Sequence, residues 1–126
     1  MFGFKFYNRL FQGDKKAKEL ILKLDQENLF TTEITIFEVG YEFLNTNKTE
    51  LDQFIKFIER IKIITTATLF SLEAARIKKE LEIKGKTIDS MDLLIAGMMR
   101  SFGIKKIVAR NAKHFESINK INVINY

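Results

Sequence analysis

The chain has 126 residues, enough to bury a core as a single domain spanning 1–126, and its 46% hydrophobic content separates it from disordered chains. The absence of cysteine excludes disulfides and thiolate metal sites and suits a reducing, cytoplasmic setting. A formal charge of +5 suits a polyanionic partner without requiring one, because lysines also line solvated helix faces.

Residues 1–11 fit two patterns. Phe2, Phe4 and Phe6 alternate like a strand, while Phe2, Phe6 and Leu10 share a helical face. The stretch lacks a long apolar core and a small-residue cleavage site, so it does not read as a signal peptide. Asp14 then opens a helix with Ala17, Leu20, Ile21 and Leu24 inward, followed by a polar turn at Asp25 to Asn28 and a short strand at Leu29 to Thr32. Thr35 and Glu38 have capping-box spacing, and the helix that follows is expected to bury Phe37, Tyr41 and Leu44 before the Asn45–Thr46–Asn47 turn. Glu50 to Arg60 reads as an amphipathic helix with Leu51, Phe54, Ile55 and Ile58 inward, and the β-branched Lys62 to Thr66 as a strand. Ser71 to Lys84 places Ala74, Ile77 and Leu81 on one helical side and ends at Gly85.

The densest signal follows that glycine. Asp89 or Ser90 serves as N-cap and leaves Asp92 in the first turn, where free N–H groups and the helix dipole favour a carboxylate. Leu93 to Met99 is apolar nearly all round, too short a run to cross a membrane and suited to a buried helix, and Gly103 stops it. Ile104 to Ala109 reads as a buried strand, Arg110 to Phe115 as a polar loop, Glu116 to Ile118 as a helical turn, and Ile121 to Tyr126 as a terminal strand.

Strands separated by helices predict a small parallel sheet with right-handed crossovers, and ligands of such sheets sit beyond the strands' carboxyl ends. Glu38, Asp92 and the loop at Asn111 should therefore face one edge. Oxygens converging there suit Mg²⁺ or Mn²⁺, which would orient water for attack on a phosphate. Arg110, Lys113 and Lys86 fall near the same edge, either as contacts to flanking phosphates of a nucleic acid or as solvated bases. His114 is the sole histidine, so a typical zinc site is excluded, and no nucleophile elbow, phosphate loop or dinucleotide fingerprint is present.

Four segments together resemble the PIN domain family, and among its members the VapC-type ribonuclease toxins of toxin–antitoxin pairs. They are Leu10 to Ala17, Thr35 to Glu38, Lys86 to Ala96 and Val108 to Phe115. The resemblance implies a three-layer α/β/α fold with a small parallel sheet, an Mg²⁺- or Mn²⁺-dependent endoribonuclease of the cytoplasm, a cognate antitoxin partner and a homodimer. By the same resemblance Glu38 and Asp92 are the catalytic, metal-binding acids, and Asn111 falls at a third metal position. Asp89 either supports the metal-binding acids from beside Asp92 or caps the helix, and His114 is a candidate for the same supporting role. Two departures stand out. Gly3-Phe4-Lys5 occupies the place of the family's Asp-Thr-Asn/Ser, with hardly any chain before it to form the central strand, so the first strand reads as truncated. His114 stands where the family has an acid. With two of four acids left, a hard dication should bind weakly. Two readings remain open: a weakened ribonuclease toxin, or a degenerate, non-catalytic PIN domain that binds protein or RNA.

Overall fold

The structure, a computed structural model, describes residues 1, 4–24, 29–46, 48–65, 67–109 and 112–125. Helix α1 (Phe4–Phe11) resolves the N-terminal ambiguity: Phe6 and Tyr7 are buried from one helical turn, and the alternating pattern forms no strand there. Asp14 caps α2 (Lys15–Lys23), accepting from the Ala17 amide at 3.1 Å and from Arg9 at 3.0 Å. The polar turn expected at Asp25 to Asn28 lies outside the described residues.

Strand β1 (Phe30–Thr32) leads directly into α3 (Glu33–Thr46), and here two expectations are corrected. The capping hydroxyl is Thr32, whose Oγ1 accepts from the Thr35 amide at 3.0 Å, so Thr35 already lies inside the helix. The buried face is Ile34, Thr35, Val39 and Phe43, while Phe37, Tyr41 and Leu44 are 65%, 65% and 69% exposed. The expected 3.6-residue period holds and the expected inward face does not: residues 34, 35, 39 and 43 form an equally regular stripe, and packing against α1 selects it.

Helix α4 (Lys48–Ile58) starts two residues before the expected Glu50. It buries Phe54 and half-buries Leu51 and Ile58, but Ile55, expected inward, is 44% exposed. Strand β2 (Lys62–Ile64) is shorter than the predicted Lys62 to Thr66, and Thr66 is outside the described residues. Helix α5 (Thr68–Ile83) begins three residues early and buries Ala74, Ile77 and Leu81 as their spacing predicts. Helix α6 (Ser90–Phe102) has Asp89 as N-cap and ends at Gly103 with φ 74°, a left-handed conformation that glycine adopts without strain. Strand β3 (Lys106–Val108) and strand β4 (Asn122–Ile124) are the cores of the two longer strands expected. Between them the predicted loop contains a helical turn, α7 (Ala112–Phe115), because Phe115 is pulled into the core.

The strands form two parallel pairs, β1·β2 and β3·β4. Side chains alternate between two helical layers. Ile107 and Val123 face the cluster built by α5 and α6, whereas Val108 and Ile124 face the one built by α1, α2, α3 and α4. The result is a mixed α/β, three-layer arrangement. The second layer is an aromatic nest in which Tyr7, Phe11, Phe43, Phe54 and Phe57 meet edge to face, with Tyr7 and Phe54 centroids 5.1 Å apart.

No strand precedes α1 among the described residues. Met1 sits in strand-like contact with β3, donating its amino group to the Lys106 carbonyl at 3.2 Å and accepting from the Val108 amide at 2.6 Å. Among the described residues it is Met1 that occupies the side of β3 opposite β4. In the other layer, α6 lies so close to α5 that a Cβ on Gly97 would fall 2.6 Å from the Phe70 carbonyl oxygen. Arg100 crosses the same contact, bonded to Glu73 at 2.7 Å and Glu80 at 2.8 Å. Met98 and Met99, on the same helix, are fully enclosed.

Candidate functional site

The first turn of α6 carries two acids with different duties. Asp89 accepts from the Met91 amide at 3.1 Å, and its carbonyl accepts from Leu93, so its side chain holds the helix start in place. Asp92 sits one turn further in and is mostly buried, with 18% of its side chain exposed. His114 Nδ1 donates to Asp92 Oδ2 at 2.6 Å. Because a carboxylate only accepts, this bond places the ring proton on Nδ1. The turn α7 brings His114 there: Phe115 and Ile118 are buried on its core side, and α7 packs against α6.

Glu38 approaches from α3, one residue before buried Val39, and α3 packs against α6. Its carboxyl is pushed up to about 7 by burial first, then by the charges of Asp92 and Asp89. Acids from two separated helices therefore share one electrostatic environment. Negative charge is crowded there, which is the environment a dication relieves. Among the described residues, however, no three acidic or histidine side chains gather closely enough to hold an ion. The donor set fits a divalent cation in kind, through the carboxylates of Glu38 and Asp92, and falls short in number. Bound there, an ion would polarise water and offset charge on a phosphate.

The remaining candidates are more scattered. Asn111 and Arg110, like Gly3, lie outside the described residues. Lys113 is exposed on α7. Lys86, suggested as an RNA contact, donates from Nζ to Ser117 Oγ at 2.7 Å, while Lys84 donates to the Ser117 carbonyl at 2.9 Å. These two bonds tie the end of α5 to the segment after α7 and so help to seat His114. Ser117 was missed in the sequence, where nothing marks it as a partner for lysines more than thirty residues away. The direct contact of His114 with Asp92 was also unforeseen, since a 22-residue separation carries no periodic signal.

Against this geometry, a family model described as PIN domain matches residues 7–121. Solved structures share the fold. VapBC2 of Rickettsia felis, solved bound to a DNA fragment from its promoter, is 22% identical with a TM-score of 0.86, covering 100% of this chain and 97% of that one. DNA-bound VapBC of Salmonella typhimurium is 22% identical with a TM-score of 0.84, covering 99% and 96%. A toxin–antitoxin complex of Klebsiella pneumoniae is 18% identical with a TM-score of 0.78, covering 98% and 93%. No curated protein matches the chain in sequence.

Proposed function

The chain belongs to the PIN domain family, and from that premise we propose that it is a metal-dependent endoribonuclease, the toxin of a toxin–antitoxin pair. The observation that carries the reading is Glu38, whose carboxyl is raised by burial and by Asp92 and Asp89 reaching it from another helix. Glu38 and Asp92 hold Mg²⁺ or Mn²⁺ in this reading, with Asn111 a further donor. The ion would supply an activated water and charge neutralisation at the scissile phosphate. Asp89 fixes the start of α6, so that Asp92 keeps its place. Arg110 and Lys113 would meet flanking phosphates of the RNA, while Lys86 contributes through its bond to Ser117.

The partner follows from the fold likeness to structures described as VapBC and toxin–antitoxin complexes: a cognate antitoxin that covers the site. A homodimer is supported by the exposed stripe of Phe37, Tyr41 and Leu44 on α3. No described helix is long and apolar enough to cross a membrane, in keeping with action in the cytoplasm.

A second reading, a non-catalytic PIN domain that binds protein or RNA, is favoured by the absence of any three-residue cluster of acids or histidine among the described residues. Incubation of labelled RNA with Mg²⁺, Mn²⁺ or a chelator separates the two. The first reading expects cleavage that needs the ion and falls at least about a hundredfold in Asp92→Asn. Cleavage that survives both chelation and Asp92→Asn would remove it, and antitoxin binding without any cleavage would establish the second.

A further inference from the structure

We propose that Lys84 and Lys86, gathered on Ser117, form a clamp for a backbone phosphate of the RNA, a near neighbour of the scissile one. The inference rests on the ribonuclease reading above and concerns where the strand is held.

An exposed lysine ordinarily moves with the solvent, or pairs with a carboxylate. These two do neither. Lys84 donates from Nζ to the Ser117 carbonyl at 2.9 Å and to Asn119 Oδ1 at 3.2 Å, and Lys86 donates to Ser117 Oγ at 2.7 Å. Two positive charges are thus drawn to one residue by oxygens that carry no charge. Among the described residues the ion pairs include neither lysine. Glu82 lines the same recess as Lys86 without pairing with it. The charges of Lys84 and Lys120 both reach Glu80, but that carboxylate is already bonded twice to Arg100, at 2.8 and 3.2 Å. Positive charge therefore stays in excess at this corner, and an anion relieves it.

The donors that remain suit a phosphate. An ammonium carries three hydrogens, so Lys84 keeps one beyond its two bonds and Lys86 keeps two beyond its one. Both lysines are exposed, and the unbridged oxygens of a phosphodiester accept several such charged bonds at once. Because the ammoniums are already held in place, little side-chain freedom is lost when the strand arrives. The segment beneath them is strained: Lys120 is left-handed at φ 69°, a costly conformation for a residue with a Cβ and one that recurs at ligand clamps. Both halves of the clamp are tethered to the acids. Lys86 lies three residues before Asp89, the cap of α6, and Ser117 three residues after His114, which is bonded to Asp92. Such a length of chain spans roughly 10 Å at most, which keeps the held phosphate beside the cut.

The test titrates salt against the full chain bound to a short, unstructured, fluorescent RNA, with a chelator present so that the strand is bound and not cut. Fluorescence anisotropy gives the affinity at each salt concentration. Lys84→Met with Lys86→Met should weaken binding about tenfold at low salt. It should also lower the slope of log affinity against log salt by about 0.7, the share of one phosphate on a single strand. Lys84→Arg with Lys86→Arg, which keeps both charges, should retain the native slope. Lys15→Met with Lys16→Met removes the same charge from exposed positions on α2 and should also leave the slope unchanged. Equal slopes in the native chain and Lys84→Met/Lys86→Met, or an equal drop in Lys15→Met/Lys16→Met, overturn the clamp and leave the ribonuclease reading standing. No RNA binding by the native chain even at low salt overturns both.

Discussion

At the scale of single residues, Glu38 offers the sharpest handle. Its carboxyl titrates at about 7 in the folded chain against 4.5 in the unfolded one, with burial the leading cause and Asp92 and Asp89 next. An acid raised in this way is held protonated by folding, so the folded state binds the extra proton and loses stability as pH climbs from 4.5 toward 7. In metal-free buffer the melting temperature should fall across that window and level off above it. Glu38→Gln should flatten this part of the curve, raise the melting temperature at pH 8 and remove cleavage; differential scanning calorimetry at matched ionic strength reads the first two. Mn²⁺ at pH 8 should stabilise the native chain and not the variant, because a cation offsets the like-charge repulsion. That Glu38 and Asp92 would come under one another's charge was legible in the sequence, since each acid was expected to face the same edge of the sheet. The bond of His114 to Asp92 was not, because it depends on how α7 is pulled down by Phe115.

Among the elements, the α5–α6 contact makes the firmest demand. A methyl group on Gly97 would meet the Phe70 carbonyl oxygen at 2.6 Å, the Ala74 amide nitrogen at 2.8 Å and the Ala74 Cβ at 2.9 Å. Two of these are backbone atoms and cannot rotate away. Alanine gains about 1 kcal/mol in helix propensity over glycine, whereas overpacking typically costs about 1–3 kcal/mol, so the clash wins. Gly97→Ala should lower the melting temperature by several degrees while leaving helical content by circular dichroism nearly unchanged; equal or greater stability would show that the helices separate freely. Helices α5 and α6 were legible because one apolar stripe or a wholly apolar run left little choice of face. Helix α3 was not. Two stripes compete along it, and only the partner helices decide that Val39 and Phe43 turn inward while Phe37 and Tyr41 stay outside.

For the whole molecule, the alternation of short strands and helices was enough to anticipate an α/β architecture, and the pairing pattern was not. A single parallel sheet was expected, but among the described residues β1·β2 and β3·β4 form separate pairs, with Met1 against the other side of β3. Helix spacing encodes faces; it does not encode which strands become neighbours. The outward stripe of α3 makes a prediction at this scale. If the proposed homodimer forms through this stripe, Phe37→Ser with Tyr41→Ser and Leu44→Ser should shift the mass measured by light scattering from dimer to monomer with little loss of thermal stability, since none of the three is buried. An unaltered dimer would place the homodimer contact elsewhere. The enclosed thioethers of Met98 and Met99 carry a different consequence. Peroxide reaches such sulfurs only when their helix lifts away from its neighbours, so sulfoxide formation there acts as a clock for rare openings. Oxidative damage and loss of the native packing would then be one event, and the chain would endure an oxidising burst for as long as this layer stays shut.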